Sequence, residues 1–386
     1  MVILRTENDL HLMKAAFREF YFNHGNEIEV PNRIQNREFG VMGFNGAMKR
    51  HLEFSSLGGL IASLLLDTPS DVFSSNASYE FPKLPMSEKG WLGADLIFDI
   101  DVNDLNLKCK ISHSYSICST CTCCYQTSSK ICPRCRSSHC TEVLLPCDSC
   151  IKGLKREVSK LRHFLVNDIG IDAGMIKIYF SGNNGFHLHV LDESYNDLNS
   201  QARADLAGYV MGVGILADAL GVRRDSPSDF YIKFPLGGLD YGWRKRVSDR
   251  LGISIASQKK LTNLVREIGG IEQFRKRITE IGKELGVHID SQVTTDVHRV
   301  FRMPGTLNGK SGLTKIFCRD LDLFDPFDDA CQLSEREVLV KMMLPRLKLR
   351  LKGQRFDLSK DTVRVPLFVA VYLISKGLAH TLEQRD

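Results

Sequence analysis

Ten of the twelve cysteines in this 386-residue chain fall between Cys109 and Cys150, and that crowding limits the fold more than any other feature. In a reducing compartment, thiols this dense point to metal rather than disulfides. Cys118-x2-Cys121 and Cys132-x2-Cys135 stand ten residues apart, the spacing of a zinc ribbon. Cys147-x2-Cys150 is a third knuckle, and Cys109 with His113 forms a looser pair. Two pairings are open. In the nested one, preferred here, Cys109, His113, Cys147 and Cys150 enclose an inner site of Cys118, Cys121, Cys132 and Cys135. In the sequential one, Cys109, His113, Cys118 and Cys121 make one site and the two later knuckles the other. Cys123, Cys124 and Cys140 are spare in the nested scheme. A redox-active Cys-x2-Cys would need a thioredoxin-like βαβ setting, which is missing. Closed four-ligand sites of this kind hold structural zinc.

A second feature carries chemistry. The stretch Asp95-Leu-Ile-Phe-Asp-Ile-Asp101 reads as a strand, with Leu96, Phe98 and Ile100 on one face and Asp99 and Asp101 side by side on the other. Two carboxylates so close are tolerated where a cation or a proton intervenes. Oxygen pairs of this type suit Mg²⁺ or Mn²⁺ that also engages a triphosphate. The plainer reading is a strand ending in a solvated acidic turn, since Asn103 and Asp104 follow. Further on, two β-forming runs, Met175–Ser181 and Phe186–Leu191, flank Gly182-Asn-Asn-Gly185 and read as a hairpin with His187 and His189 on one face. A histidine pair at this spacing is often a structural or edge feature, yet a Ser-Gly turn next to a histidine can also hold phosphate oxygens through backbone N–H groups. Gly309-Lys-Ser311 invites a P-loop reading, but Pro304 stands where the upstream glycine is required, which excludes it.

Around these motifs the spacing predicts an amphipathic helix over Asp9–Phe22, a short helix over Leu57–Leu66 and a Ser- and Pro-rich loop from Thr68 to Lys89. It also predicts a helix over Ile151–Asn167 and helices over Gln201–Leu220 and Lys259–Leu285, which flank a basic aromatic loop at Phe230–Arg246 holding Tyr231, Phe234, Tyr241 and Trp243. With 25% charged and 43% hydrophobic residues the chain reads as globular. Its longest apolar run, Val365–Ile374, is too short to span a bilayer. No secretory signal is visible at Met1-Val-Ile-Leu, so a cytoplasmic location is expected. A net charge of +5 supports nucleic-acid binding only weakly.

Taken together, Arg37-Glu-Phe39, Ser78-Tyr-Glu-Phe-Pro82, Trp91 through Asp101, the Cys/His block, Ser181 through His187 and Asp290 through Leu313 resemble the catalytic small subunit of archaeal and eukaryotic DNA primase, in the right order and over nearly the whole chain. The resemblance implies an α/β (α+β) primase core with an RRM-like mixed sheet, over residues 1–108, 168–200 and 286–386. A zinc-binding element with an inserted ribbon (109–150) and a helical subdomain (201–285) complete it. It further implies that Asp99, Asp101 and Asp290 hold the catalytic Mg²⁺ or Mn²⁺. Ser181, His187, Arg302 and the Asn308 position would meet the nucleotide's phosphates, assisted by Arg37 and Arg50, and one or two zinc ions would be structural. Asn184 and Asn308 depart from the family, which usually has arginine and histidine there; Lys310 or Lys177 could compensate. The implied activity is templated synthesis of RNA primers from NTPs on single-stranded DNA, with a primase large subunit as partner, at the replication machinery of the nucleoid. Competing readings are a primase-polymerase that uses dNTPs in repair, a metal-dependent nuclease, and a zinc-ribbon nucleic-acid-binding protein without catalysis.

Overall fold

Thr6 starts the first helix, Glu7–His24, with a capping box in which its hydroxyl accepts from the Asp9 N–H while the Asp9 carboxylate accepts from the Thr6 N–H. Met13, Phe17, Phe20 and Tyr21 are buried on the face that meets the helices Leu57–Asp67 and Leu367–Ser375. The computed structural model describes residues 5–126, 131–218, 220, 222–224, 230–232, 241–253 and 258–383. One hydrophobic cluster runs through it, from Met13 through Phe98, Ile117, Leu161 and Ile278 to Val371.

Two sheets position the site. The first is five-stranded, with Asp71–Tyr79 at its centre, bordered by Val300–Arg302 and Arg37–Met42 and paired further along with Trp91–Ala94; Met48–Leu52 forms an edge. The second has four strands in the order Ile316–Phe317, Ile176–Phe180, Gly185–Val190 and Leu96–Asp101. Phe301 of the first sheet packs edge-on against His187 and His189 of the second, at 5.7 and 6.3 Å between ring centres.

Several expectations are corrected. Every pairing among the described residues is antiparallel, so neither sheet is mixed; the tight hairpin between Phe180 and Gly185 joins its strands in the only sense that so short a turn permits. The expected loop from Thr68 to Lys89 contains the central strand Asp71–Tyr79. Its serines and asparagine look like loop residues, but two of them find partners inside the fold: Ser75 Oγ accepts from the Glu38 N–H at 3.0 Å, and Asn76 Nδ2 donates to the Asp296 carbonyl at 3.0 Å. The first middle helix ends at Met211, where Gly212 adopts a left-handed cap. Gly269 and Gly270, both at positive φ, break the expected Lys259–Leu285 helix into Gln258–Ile268 and Ile271–Leu285. The end of the expected loop is helical: Gly242–Leu251 begins inside it, runs past Arg246 and buries Trp243, whose indole N–H donates to the Tyr209 carbonyl at 2.9 Å. The Tyr231 side chain and Phe234 lie outside the described residues.

The helix Asp148–Phe164 has Leu154, Val158 and Leu161 inward as expected, and Leu165 is buried in the turn that follows. The run Val365–Ile374 supplies most of the wholly buried helix Leu367–Ser375. No helix among the described residues is long and apolar enough to cross a membrane.

Candidate active site and metal centres

The acidic strand pairs with the histidine strand so that His187 lies opposite Asp99 and Gly185 opposite Asp101. Facing residues share a side of the sheet. His187 therefore stands beside Asp99, with Nε2 3.5 Å from the carboxylate. Gly185 is required because a Cβ there would lie 2.5 Å from the Ile100 carbonyl oxygen. The third carboxylate arrives from far along the chain. The Asp290 N–H donates to the Asp99 carbonyl at 3.0 Å, which anchors the short helix Ser291–Thr295 against the strand. Asp101 and Asp290 each use one carboxylate oxygen to cap their own turn, accepting from the Asn103 N–H at 2.8 Å and the Gln292 N–H at 3.0 Å. The carboxylates feel one another: burial, then Asp101 and Asp290, push the Asp99 carboxyl up to about 7. Burial also raises Asp101. The three are less tightly drawn together than the thiols described below, whose ligand atoms lie within 4.8 Å of one another.

A turn at each sheet closes the site. Ser181 Oγ accepts from the Asn183 and Gly185 N–H groups, holding the hairpin turn in shape around Gly182 at φ +82°. Asn308 Nδ2 reaches the Ser181 carbonyl at 3.4 Å, and Ser311 Oγ donates to the Gly182 carbonyl, so the turn at Asn308–Gly312 clasps the hairpin. Arg302 pairs with Asp71 at 2.6 Å and donates to the Leu307 carbonyl at 2.9 Å. Burial would raise the Asp71 carboxyl, but Arg302, Ser70 and the Gly309 N–H hold it below its ordinary value. Asn184 is buried with its Oδ1 unpartnered. Lys376, absent from the sequence reading, donates to Asn183 Oδ1 at 2.7 Å; burial lowers it to about 7 although Asp101 opposes this.

Arg37 and Arg50 are engaged elsewhere. Arg37 is buried, pairs with Asp95 at 2.9 Å and donates to the Ser75, Asn76 and Asn32 carbonyls. Arg50 makes a two-point contact with Glu38, at 2.8 and 3.1 Å, and Glu38 also binds the fully buried Lys89. Neither arginine touches the carboxylates or the hairpin through a hydrogen bond or ion pair among the described residues. Lys89, Asp71, Lys315 and Lys376 carry no signal in the sequence: each is a lone polar residue in an ordinary loop, strand or helix end.

The cysteines gather into two groups. Sγ atoms of Cys118 and Cys135 are 3.5 Å apart, and those of Cys121 and Cys132 3.6 Å. These separations exceed the ~2.05 Å of a disulfide and approach the ~3.8 Å edge of a tetrahedron with ~2.3 Å zinc–sulfur bonds. The two knuckles repeat one geometry. Cys118 N–H donates to Cys123 O and Cys132 N–H to Ser137 O, with Thr122 and Arg136 at φ +56° and +62° turning the chain after the second cysteine of each. The second group is Cys109, Cys147 and Cys150, with Sγ separations of 3.4 and 3.9 Å to Cys150. Cys147 caps the helix Asp148–Phe164, where the helix dipole favours thiolate. His113 is not drawn into this trio.

A family model described as DNA primase small subunit matches residues 141–319. The DNA primase small subunit PriS of Cenarchaeum symbiosum is 42% identical over 375 residues, 97% of this chain and 99% of its own length. That of Nitrosopumilus maritimus is 39% identical over the same shares, and that of Archaeoglobus fulgidus 30% identical over 95% of this chain and 96% of its own. With identity at this level across nearly the full length of both partners, the chain belongs to the DNA primase small subunit family.

Proposed function

We propose that this DNA primase small subunit, a nucleotidyltransferase that makes RNA primers, does its chemistry at Asp99, Asp101 and Asp290, with NTPs as substrates and single-stranded DNA as template. The observation that carries the reading is the convergence of three carboxylates from two distant segments on the Ser181–His187 hairpin, with Asp99 buried enough to be pushed up to about 7. Such a cluster repels itself when ionised and suits divalent cations, and its donors are all carboxylate oxygens, the set that Mg²⁺ and Mn²⁺ prefer. When bound there, the ions supply positive charge to the attacking 3′-oxygen and the leaving pyrophosphate. In the reaction the 3′-hydroxyl attacks the α-phosphorus of the next NTP; the new P–O bond forms as the α–β bridging bond breaks. The chain's own part is placement. Ser181, the backbone of its turn, His187 and the Asn308 turn face the triphosphate. Arg302, held by Asp71, adds a fixed cation beside them. Arg37 and Arg50 act indirectly by bracing the first sheet through Asp95 and Glu38.

The four thiols of Cys118, Cys121, Cys132 and Cys135 would hold one structural zinc and Cys109, Cys147 and Cys150 a second, to which His113 could supply the fourth ligand. A primase large subunit completes the proposed working unit. The test is primer synthesis on single-stranded template by Asp99→Ala and Asp101→Ala: both should be inactive while retaining wild-type zinc content, and appreciable dinucleotide formation by either would remove the assignment.

A further inference from the structure

Lys315 is wholly buried between the two sheets, and its Nζ stands 3.1 Å from His187 Nδ1 and 3.2 Å from His189 Nε2. The two imidazoles are stacked, 23° from parallel with centres 6.3 Å apart, and Phe301 closes against both. Backbone hydrogen bonds from the Lys315 N–H to Thr306 O and from the Gly305 N–H to Lys315 O hold the lysine in place. Its ammonium also lies 5.2 Å from the centre of the Tyr179 ring.

A lysine Nζ, charged or neutral, has at least two N–H donors, whereas an imidazole that accepts at one nitrogen carries its proton on the other. The two distances let Nζ donate one N–H to each ring at once. Each nitrogen that faces Lys315 must then accept. His187 is left with its proton on Nε2, the nitrogen turned toward Asp99. His189 is left with its proton on Nδ1. The two histidines of one strand therefore carry opposite tautomers.

We infer that Lys315 is a positioning residue: by donating to both rings it fixes the orientation of His187 and makes Nε2 a hydrogen-bond donor toward the phosphate oxygens of the incoming nucleotide. The inference rests on the proposed placement of the triphosphate beside His187. Without Lys315 the two rings face an unpaired space, His187 is free to rotate, and its donor is no longer aimed.

The test joins spectroscopy to kinetics in the full-length chain. In protein labelled with ¹⁵N at histidine, assigned with His187→Gln and His189→Gln, wild type should show an unprotonated Nδ1 on His187 and a protonated Nδ1 on His189. Finding the same tautomer on both rings overturns the inference without any lysine variant. Lys315→Met keeps the buried hydrocarbon path and removes the donors. It should abolish the Nδ1–H form of His189 and raise KM for NTP about tenfold, as for one lost charge-assisted hydrogen bond, with kcat little changed. An unchanged KM, or a fall confined to kcat, overturns the positioning role. Should His187→Ala itself leave KM unchanged, the placement of the triphosphate fails instead, and the wild-type spectra still decide whether the clamp exists.

Discussion

Asp99→Asn should stabilise the protein without added Mg²⁺ or Mn²⁺ while abolishing its activity, and the size of the gain follows from the position of the carboxyl. Burial and the neighbouring Asp101 and Asp290 move Asp99 from 3.8 to about 7. At 1.36 kcal/mol per tenfold in proton affinity, that is about 4 kcal/mol against the ionised form. The side chain is 23% exposed, so solvent screens part of the repulsion and about 2–4 kcal/mol is expected. The sign is set by which state keeps the proton. Between about pH 4 and 7 the folded chain holds a proton that the unfolded chain has released, so stability falls as pH rises through that window and levels off above it. Asparagine cannot ionise and escapes the loss. Thermal melting of the zinc-loaded protein without added Mg²⁺ or Mn²⁺ should therefore show Asp99→Asn several degrees above wild type at pH 8, with the difference vanishing near pH 4. Added Mn²⁺ should raise the wild-type melting temperature more than that of the variant. A variant that melts no higher than wild type at pH 8, or a gap that persists at pH 4, would refute the claim that burial and carboxylate repulsion together hold Asp99 toward its neutral form.

Replacing Cys132 by Ser should lower zinc from two equivalents to one, read by metal analysis, because the Cys109, Cys147 and Cys150 group shares no ligand with the ribbon; loss of both would mean that the two sites fold as one. Lys89→Met leaves the buried Glu38 with Arg50 and the His51 N–H and should destabilise the fold by about 3 kcal/mol in urea titration, whereas a change under about 0.5 kcal/mol, as at an ordinary surface position, would show that these remaining partners suffice. Asn308→His puts an imidazole beside Ser181 and should lower KM for NTP; an unchanged or higher KM would place the compensating grip on another residue, such as Lys310 in the same turn.

What could be read from the sequence was what is written locally. The acidic strand, the Ser181 hairpin and the paired knuckles each have a period or a spacing, and each occupies the element that its pattern implies. The strand Asp71–Tyr79 failed that reading because its polarity is answered by residues far away. Asp71 meets Arg302, and Asn76 meets Asp296, more than two hundred positions on. Lys315 is the sharper case, since nothing in Leu313-Thr-Lys-Ile-Phe317 separates it from a surface lysine. Its partners lie 128 and 126 residues earlier, and only the pairing of Ile316–Phe317 with Ile176–Phe180 carries it beneath them. Arg37 and Arg50 show the converse. The resemblance implies that both assist at the phosphates, and in the fold Asp95 and Glu38 engage their guanidinium groups. Arg302 has an internal counter-charge as well, Asp71 at 2.6 Å, so a pairing partner alone does not exclude a role at the substrate; strand pairing rather than local pattern decides which partner each charge meets.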